Sequence, residues 1–267
     1  MPVSDILQHF SLTTLPFARA VPPGALLEHK SFSEALSRLK LALDAKSPAV
    51  LTAEPGLGKS TLLAALSDGL DPGATHLVYT PLCACGPYGL IGQLAQRYGA
   101  KQKRTTTQTA LALLEELSRS QKRELLILDD AHRLPAQSLD ELRLLLNLDF
   151  DRASPFCLLL VGQPSLRERL AESELSSLSQ RLSIRAQLSP LSENDTMSYL
   201  DHRLRAAGTT QTLFRPAATE KLFERSLGIP RLINNLATAS LIAAATAGKK
   251  QVELAHVEQA CFDQEHV

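Results

Sequence analysis

Tryptophan is absent from this sequence and aromatic residues make up only 4% of it, which argues against a surface that reads single strands by stacking their bases. The four cysteines, Cys83, Cys85, Cys157 and Cys261, form no C-x-x-C pair and no zinc spacing with histidine, so reduced, structural thiols are expected. Neither charge sign is in excess: 28 Lys and Arg stand against 28 Asp and Glu in 267 residues, and any contact with nucleic acid must come from a local patch. No apolar run is long enough for a bilayer, the longest helical one, 236–247, being short and rich in alanine. The opening MPVSDILQHF lacks the basic start and apolar centre of a secretory leader, which points to the cytoplasm. No internal repeat or low-complexity segment is visible. The rest is ordinary globular composition, 44% hydrophobic and 21% charged, enough for one large domain or for a core of about 150–200 residues with a smaller partner.

What is present centres on 49–66, AVLTAEPGLGKSTLLAAL: a short apolar run, a glycine-rich turn, then a helical pattern. Gly56 and Gly58 can take positive φ, so successive N–H groups turn inward and form an anion-binding nest at the head of the next helix. Phosphates would be cradled by Glu54, Pro55, Gly56, Leu57, Gly58, Lys59, Ser60 and Thr61, with Lys59 on the β- and γ-phosphates and the Ser60 hydroxyl on Mg²⁺. Ala53 stands where this P-loop pattern has its first glycine, a departure expected to weaken nucleotide affinity slightly. About 70 residues later LLILDD ends an apolar strand in two acids. Asp129 is the expected metal-side carboxylate and Asp130 the expected general base or water-orienting group.

After a helical pattern at 31–44, the short apolar run that opens at Ala49 and the apolar runs at 76–80, 125–128, 156–161 and 184–188 read as strands, with helical patterns at 90–98, 107–118 and 135–148 among them. That alternation predicts an α/β domain: a mostly parallel five-stranded sheet sandwiched between helices in three αβα layers. Ser31 with Glu34, and Ser192 with Asp195, look like capping boxes. After Pro190 the strand signal stops, and helices to 208 and at 217–226, 230–247 and 252–263 form a small all-helical domain. Residues 1–29, with Pro16, Pro22 and Pro23 among scattered apolar anchors, read as an extended arm packed on the core. The expected division is therefore an arm at 1–29, a nucleotide-binding domain at 30–190 and a helical lid at 191–267.

Taken together, EPGLGKST, LLILDDAHRL, LLLVGQPSLRERL, LSQRLSIRAQLSPL and SLGIPRLINNLA resemble the AAA+ ATPases. The likeness is to the ExeA-like branch, which includes transposon accessory ATPases similar to TnsC, TniB and MuB. That resemblance implies ATP and Mg²⁺ as ligands and further roles for named positions. Gln163 matches sensor 1, Arg231 in GIPR matches the sensor-2 arginine, and Arg181 or Arg185 matches the arginine finger offered to a neighbouring subunit. Asp130 departs from the family's usual glutamate by one methylene, which predicts slow ATP turnover.

The basic segment AKQKRTT supplies Lys101, Lys103 and Arg104 to neutralise phosphates, and Thr105, Thr106 and Thr107 to position a backbone without reading bases. The resemblance implies that it lines the pore of an oligomeric ring or helical filament on duplex DNA. A solvated flexible linker fits the same residues. Three functions stay open. One is a transposition regulator that assembles on target DNA and serves a transposase, with or without a target-selection protein. Another is a secretion-associated ATPase, whose usual membrane span and wall-binding module this sequence does not show. The third is an ATP-switch scaffold that does not hydrolyse.

Overall fold

Five short strands, β1 Ala49–Thr52, β2 Thr75–Thr80, β3 Arg123–Leu128, β4 Cys157–Gly162 and β5 Ile184–Gln187, pair in the order β2-β3-β4-β1-β5. The computed structural model that shows them describes residues 2–18, 26–81, 85–146 and 154–265. Every pairing is parallel, so the expectation of a mostly parallel five-stranded sheet is met. Side chains of a strand alternate between faces, and here neither face is wet. Leu126 and Leu128 of β3 join one apolar core with Val50, Val78, Leu158 and Leu160, while Leu125 and Ile127 on the opposite face are equally buried. Continuous apolar runs rather than alternating ones are the sequence mark of such a doubly covered sheet.

The register sets where function can sit. Thr52 of β1 pairs with Gly162 of β4, and Leu128 of β3 pairs with Leu160 of β4. The turns after β1, β3 and β4 therefore leave the same edge of the sheet, with β4 between the other two. Helices α3 Lys59–Asp68, α4 Pro87–Arg97, α5 Thr106–Arg119 and α6 Ala136–Leu145 connect the strands. Two short helices that the periodicity had not shown, α7 Pro164–Leu170 and α8 Ser176–Arg181, lie between β4 and β5. Helix α2 Lys30–Asp44 starts one residue before Ser31, so Ser31 lies in the first turn and not at the N-cap. The expected end of α6 at residue 148 lies outside the described residues.

The chain divides into two units, one of Ser31–Pro55 with Lys59–Leu188 and one of Met1–Lys30, Gly56–Gly58 and Ser189–Val267. The second is helical: α9 Glu193–Ala206, α10 Pro216–Ser226, α11 Pro230–Thr246 and α12 Leu254–Glu265, with one isolated bridge between Phe214 and Val252. Its Ser192 accepts from the Asp195 N–H while Asp195 accepts from the Ser192 N–H, which is the reciprocal cap read from the sequence. The arm corrects the expectation of an extended segment. Val3–Phe10 forms helix α1, and Ile6, Phe10, Leu12 and Phe17 enter the apolar core of the helical unit beside Leu200, Leu204 and Phe214. The signal was present, since Val3, Ile6, Leu7 and Phe10 follow helical spacing. Pro22 and Pro23 lie outside the described residues.

Cys85, Cys157 and Cys261 are free thiols, and Cys83 lies outside the described residues. Burial pushes the Cys157 thiol up to about 12, so its thiolate is scarce at neutral pH. A thiol reagent at pH 8 is expected to label Cys157 only under denaturing conditions, and mass spectrometry showing rapid native labelling would contradict that.

Candidate nucleotide site

The turn after β1 has the backbone that a phosphate nest needs. Gly56 has φ 91° and Gly58 φ 97°, a region that side-chain-bearing residues enter only with strain. A methyl group on Gly56 would also fall 2.9 Å from Ile229 Cγ2 and 3.0 Å from Arg231 Cβ. Ala53, the departure from the glycine pattern, needs no such freedom. It is absent from the residues with positive φ, is 1% exposed, and extends the ladder by donating its N–H to Gly162 O at 3.1 Å. Alanine at this position therefore fits the strand-to-loop turn without strain.

Lys59 opens α3 and folds back over the loop. Its Nζ donates to Ala53 O at 2.7 Å and to Glu54 O at 3.1 Å, so a cation is already stationed on the loop's own carbonyls. Ser60 follows, exposed in the first turn of the helix, with Thr61 half-buried behind it. Leu57 is buried and Glu54 and Pro55 are exposed.

At the end of β3, both oxygens of Asp129 are engaged. Oδ1 accepts the Asp130 N–H at 2.9 Å, and Oδ2 accepts the Tyr79 hydroxyl at 2.7 Å. Each carboxylate oxygen has a further lone pair, so the group is oriented yet still able to take a metal-bound water. Tyr79 was missed in the sequence, although its place one residue before the end of β2, the strand beside β3, was readable. Asp130 has φ 51° and ψ 32°. The short polar side chain of aspartate tolerates that left-handed backbone better than most residues do, which gives a local reason for Asp where the resemblance led to Glu.

Gln163 leaves β4 between the ends of β3 and β1 and precedes Pro164 as the N-terminal flank of α7, with no capping bond from its side chain. Arg181 closes α8 and is partly exposed. Arg185 lies exposed on β5 at the sheet edge, and its Nη2 donates to Ser179 O at 3.1 Å and to Ser179 Oγ at 3.0 Å. Arg231 occupies the first turn of α11, exposed, and its backbone N–H donates to Gly56 O at 3.2 Å. Gly228 makes that entry possible: with Leu227 at φ 51° and Gly228 at φ 71°, two successive left-handed residues end α10 and turn the chain into α11.

The basic segment is an ordered connection and not a slack linker. The Lys103 N–H donates to Thr109 Oγ1 at 2.9 Å, Tyr88 Oη donates to Lys103 O at 3.0 Å, and the Gln102 side chain lies against Gly92. Thr105 is the N-cap of α5, its Oγ1 accepting from the Gln108 N–H at 3.2 Å. Lys101, Lys103, Arg104 and Thr107 are all exposed.

The donor set fits a nucleoside triphosphate with its metal: a loop with two left-handed glycines, a cation on that loop, a hydroxyl at the helix head and an oriented carboxylate at the end of β3, one strand beyond β4. Comparison with known proteins agrees. A family model described as "AAA domain" matches residues 43–170. General secretion pathway protein A of Aeromonas hydrophila is 32% identical over 265 residues, which is 96% of this chain and 48% of that protein, so the chain spans about half the length of this relative. Cdc6p of Pyrobaculum aerophilum superposes with TM-score 0.72 at 20% identity, over 93% of this chain and 70% of that one. ORC1 of Aeropyrum pernix, solved in complex with DNA, gives TM-score 0.66 at 18% identity, over 91% and 68%. Drosophila ORC bound to DNA gives 0.69 at 18%, over 97% and 66%. No helix among the described residues is long and apolar enough to cross a membrane. Residues 43–170 thus match the AAA domain model, and the parallel sheet with its phosphate-binding turn has the fold of these solved structures.

Proposed function

We propose that the protein is an ATP-dependent, DNA-binding regulator of transposition that works in the cytoplasm. Subunits carrying ATP and Mg²⁺ assemble side by side on duplex DNA as a ring or filament and present that target to a transposase, alone or with a target-selection protein. Hydrolysis ends the assembly. The Gly56 and Gly58 amides and Lys59 take the phosphates, while Ser60 and Asp129 hold the metal, which neutralises the developing phosphate charge. Asp130 orients the attacking water, Gln163 and Arg231 sense the γ-phosphate, and Arg181 or Arg185 completes the site of a neighbour. Residues 30–190 act as the nucleotide-binding domain and 191–267 as the lid that brings Arg231.

The observation that carries the DNA reading is the pinned connection between α4 and α5, which holds Lys101, Lys103 and Arg104 out to solvent at a capped helix start. Ordered cations lose less conformational freedom on meeting phosphates than cations on a slack loop do. Thr105 Oγ1 accepts at the cap, which leaves its hydroxyl proton for a phosphate oxygen. The transposase as partner rests on the motif resemblance. In fluorescence anisotropy with a random duplex, binding is expected to require ATP and to weaken with salt. Changing Lys101, Lys103 and Arg104 together to alanine should reduce the slope of log K against log salt by about 2.7, at roughly 0.9 per phosphate contact. A protein that ignores duplex DNA at low salt with ATP present would overturn the reading.

A second reading, a secretion-associated ATPase, is favoured by the likeness to General secretion pathway protein A over 96% of this chain. It expects no ATP-dependent DNA binding. Phosphate release measured with and without DNA separates both from a scaffold that retains ATP as a structural ligand.

A further inference from the structure

The half-buried imidazole of His132 has no part in the roles assigned above. It sits two residues past Asp130 in the 3-10 turn Ala131–Arg133, with 13% of its side chain exposed. Its Nδ1 is closed off from solvent and has no hydrogen-bond partner among the described residues. Buried polar atoms are nearly always satisfied, so an orphan calls for an explanation. The backbone around the ring is held firmly. His132 O accepts from Arg169 Nη1 at 2.6 Å, and the Arg133 N–H donates to Asp130 O at 2.9 Å. A methyl group on Gly162 would lie 3.3 Å from His132 N, so the turn is packed on the end of β4, from which Gln163 emerges.

An acceptor stands just out of reach. Asp130 Oδ1 lies 3.9 Å from His132 Nδ1, too long for a hydrogen bond, and the Asp130 side chain is 48% exposed. A fixed, buried ring nitrogen, a donor when it carries the proton, thus faces a half-exposed carboxylate whose side chain can turn.

We infer that His132 is a positioning residue for the water that attacks ATP. In the nucleotide-bound protein the Asp130 side chain rotates so that Oδ1 accepts the His132 Nδ1–H, and its other oxygen is set toward the water. The hydrogen bond requires a proton on His132 Nδ1. The short arm of aspartate makes the donor matter, because one fixed hydrogen bond selects the rotamer from which the carboxylate reaches forward. The inference rests on the reading of Asp130 as the water-orienting group, and the test separates the two.

Steady-state ATP turnover and nucleotide affinity are measured for Asp130→Asn, His132→Leu, His132→Gln, His132→Asn and the double variant Asp130→Asn/His132→Leu. Asp130→Asn is expected to lower kcat roughly a hundredfold or more. His132→Leu and His132→Gln should each lower kcat roughly five- to tenfold, the worth of one hydrogen bond, with KM and nucleotide affinity unchanged. His132→Asn places an N–H near the position of Nδ1–H and should recover most of the rate. The double variant should be no slower than Asp130→Asn alone, since the histidine acts only through that carboxylate. Wild-type kcat in both His132→Leu and His132→Gln, or losses that multiply in the double variant, would overturn the inference while leaving Asp130 in its role. Wild-type kcat in Asp130→Asn would remove that role and the inference together.

Discussion

Lys59→Ala is expected to weaken nucleotide binding roughly ten- to hundredfold while leaving the fold intact. The wild-type ammonium is stationed on Ala53 O and Glu54 O, ready to turn from two carbonyls to phosphate oxygens. Each charge-assisted bond lost is worth about 1.5–3 kcal/mol, a roughly ten- to hundredfold loss of ATP affinity. In a thermal scan with ATP at a hundredfold over the wild-type Kd, the wild type should gain about 2.7 kcal/mol, or roughly 5–10 °C, and the variant only about 0.4–1.4 kcal/mol. ATP-dependent self-association and DNA binding should need roughly ten- to hundredfold more ATP. Calorimetry showing unchanged nucleotide uptake in the variant would remove the basis of every role assigned to this site.

Gly228→Ala is expected to be the most damaging single methyl addition. The new Cβ would lie 2.0 Å from Leu191 O, a backbone atom, at a residue whose φ is 71°. Gly228 O also accepts the Leu191 N–H at 2.9 Å, so moving the two segments apart breaks a bond as well as relieving the clash. A destabilisation of about 4 kcal/mol or more follows, lowering the transition of the helical unit by roughly 17 °C or more. The turn formed by Leu227 and Gly228 also leads into Pro230 and Arg231 at the start of α11. A variant with wild-type melting would show that the turn is not under this constraint. By contrast, alanine at Gly99, where no atom lies within 4 Å of an added Cβ, meets only its own positive φ of 77° and should cost far less.

The sheet and the phosphate loop were legible because their signals are local. A parallel strand covered on both faces reads as an unbroken apolar run, as at 125–128 and 157–161, and a nest that needs two left-handed residues writes glycine at 56 and 58. The reciprocal cap at Ser192 and Asp195 lies within a single helical turn, and it too was visible. Helix α1 was overlooked because prolines further along the arm outweighed the four-residue stripe of Val3, Ile6, Leu7 and Phe10. Helices α7 and α8 are only 7 and 6 residues long, too short for a periodic pattern to stand out.

By itself the sequence determined which chemistry is available: an amide nest, a lysine, a hydroxyl and two acids at the ends of strands, and a basic stretch between two helices. These follow from residue type and spacing along one chain. Only the tertiary structure decided what those groups meet. It pairs Tyr79 with Asp129 from adjacent strands, sets the backbone N–H of Arg231 on Gly56 O, ties Arg185 to Ser179, and turns the basic stretch from a linker into a pinned connection. It also leaves His132 beside Asp130 with its Nδ1 unsatisfied. Such meetings depend on strand order, register and the direction of side chains, which hydrophobic pattern alone does not encode. The strongest of these constraints, a 2.0 Å gap between an imagined methyl group and Leu191 O, joins residues 37 positions apart in the chain.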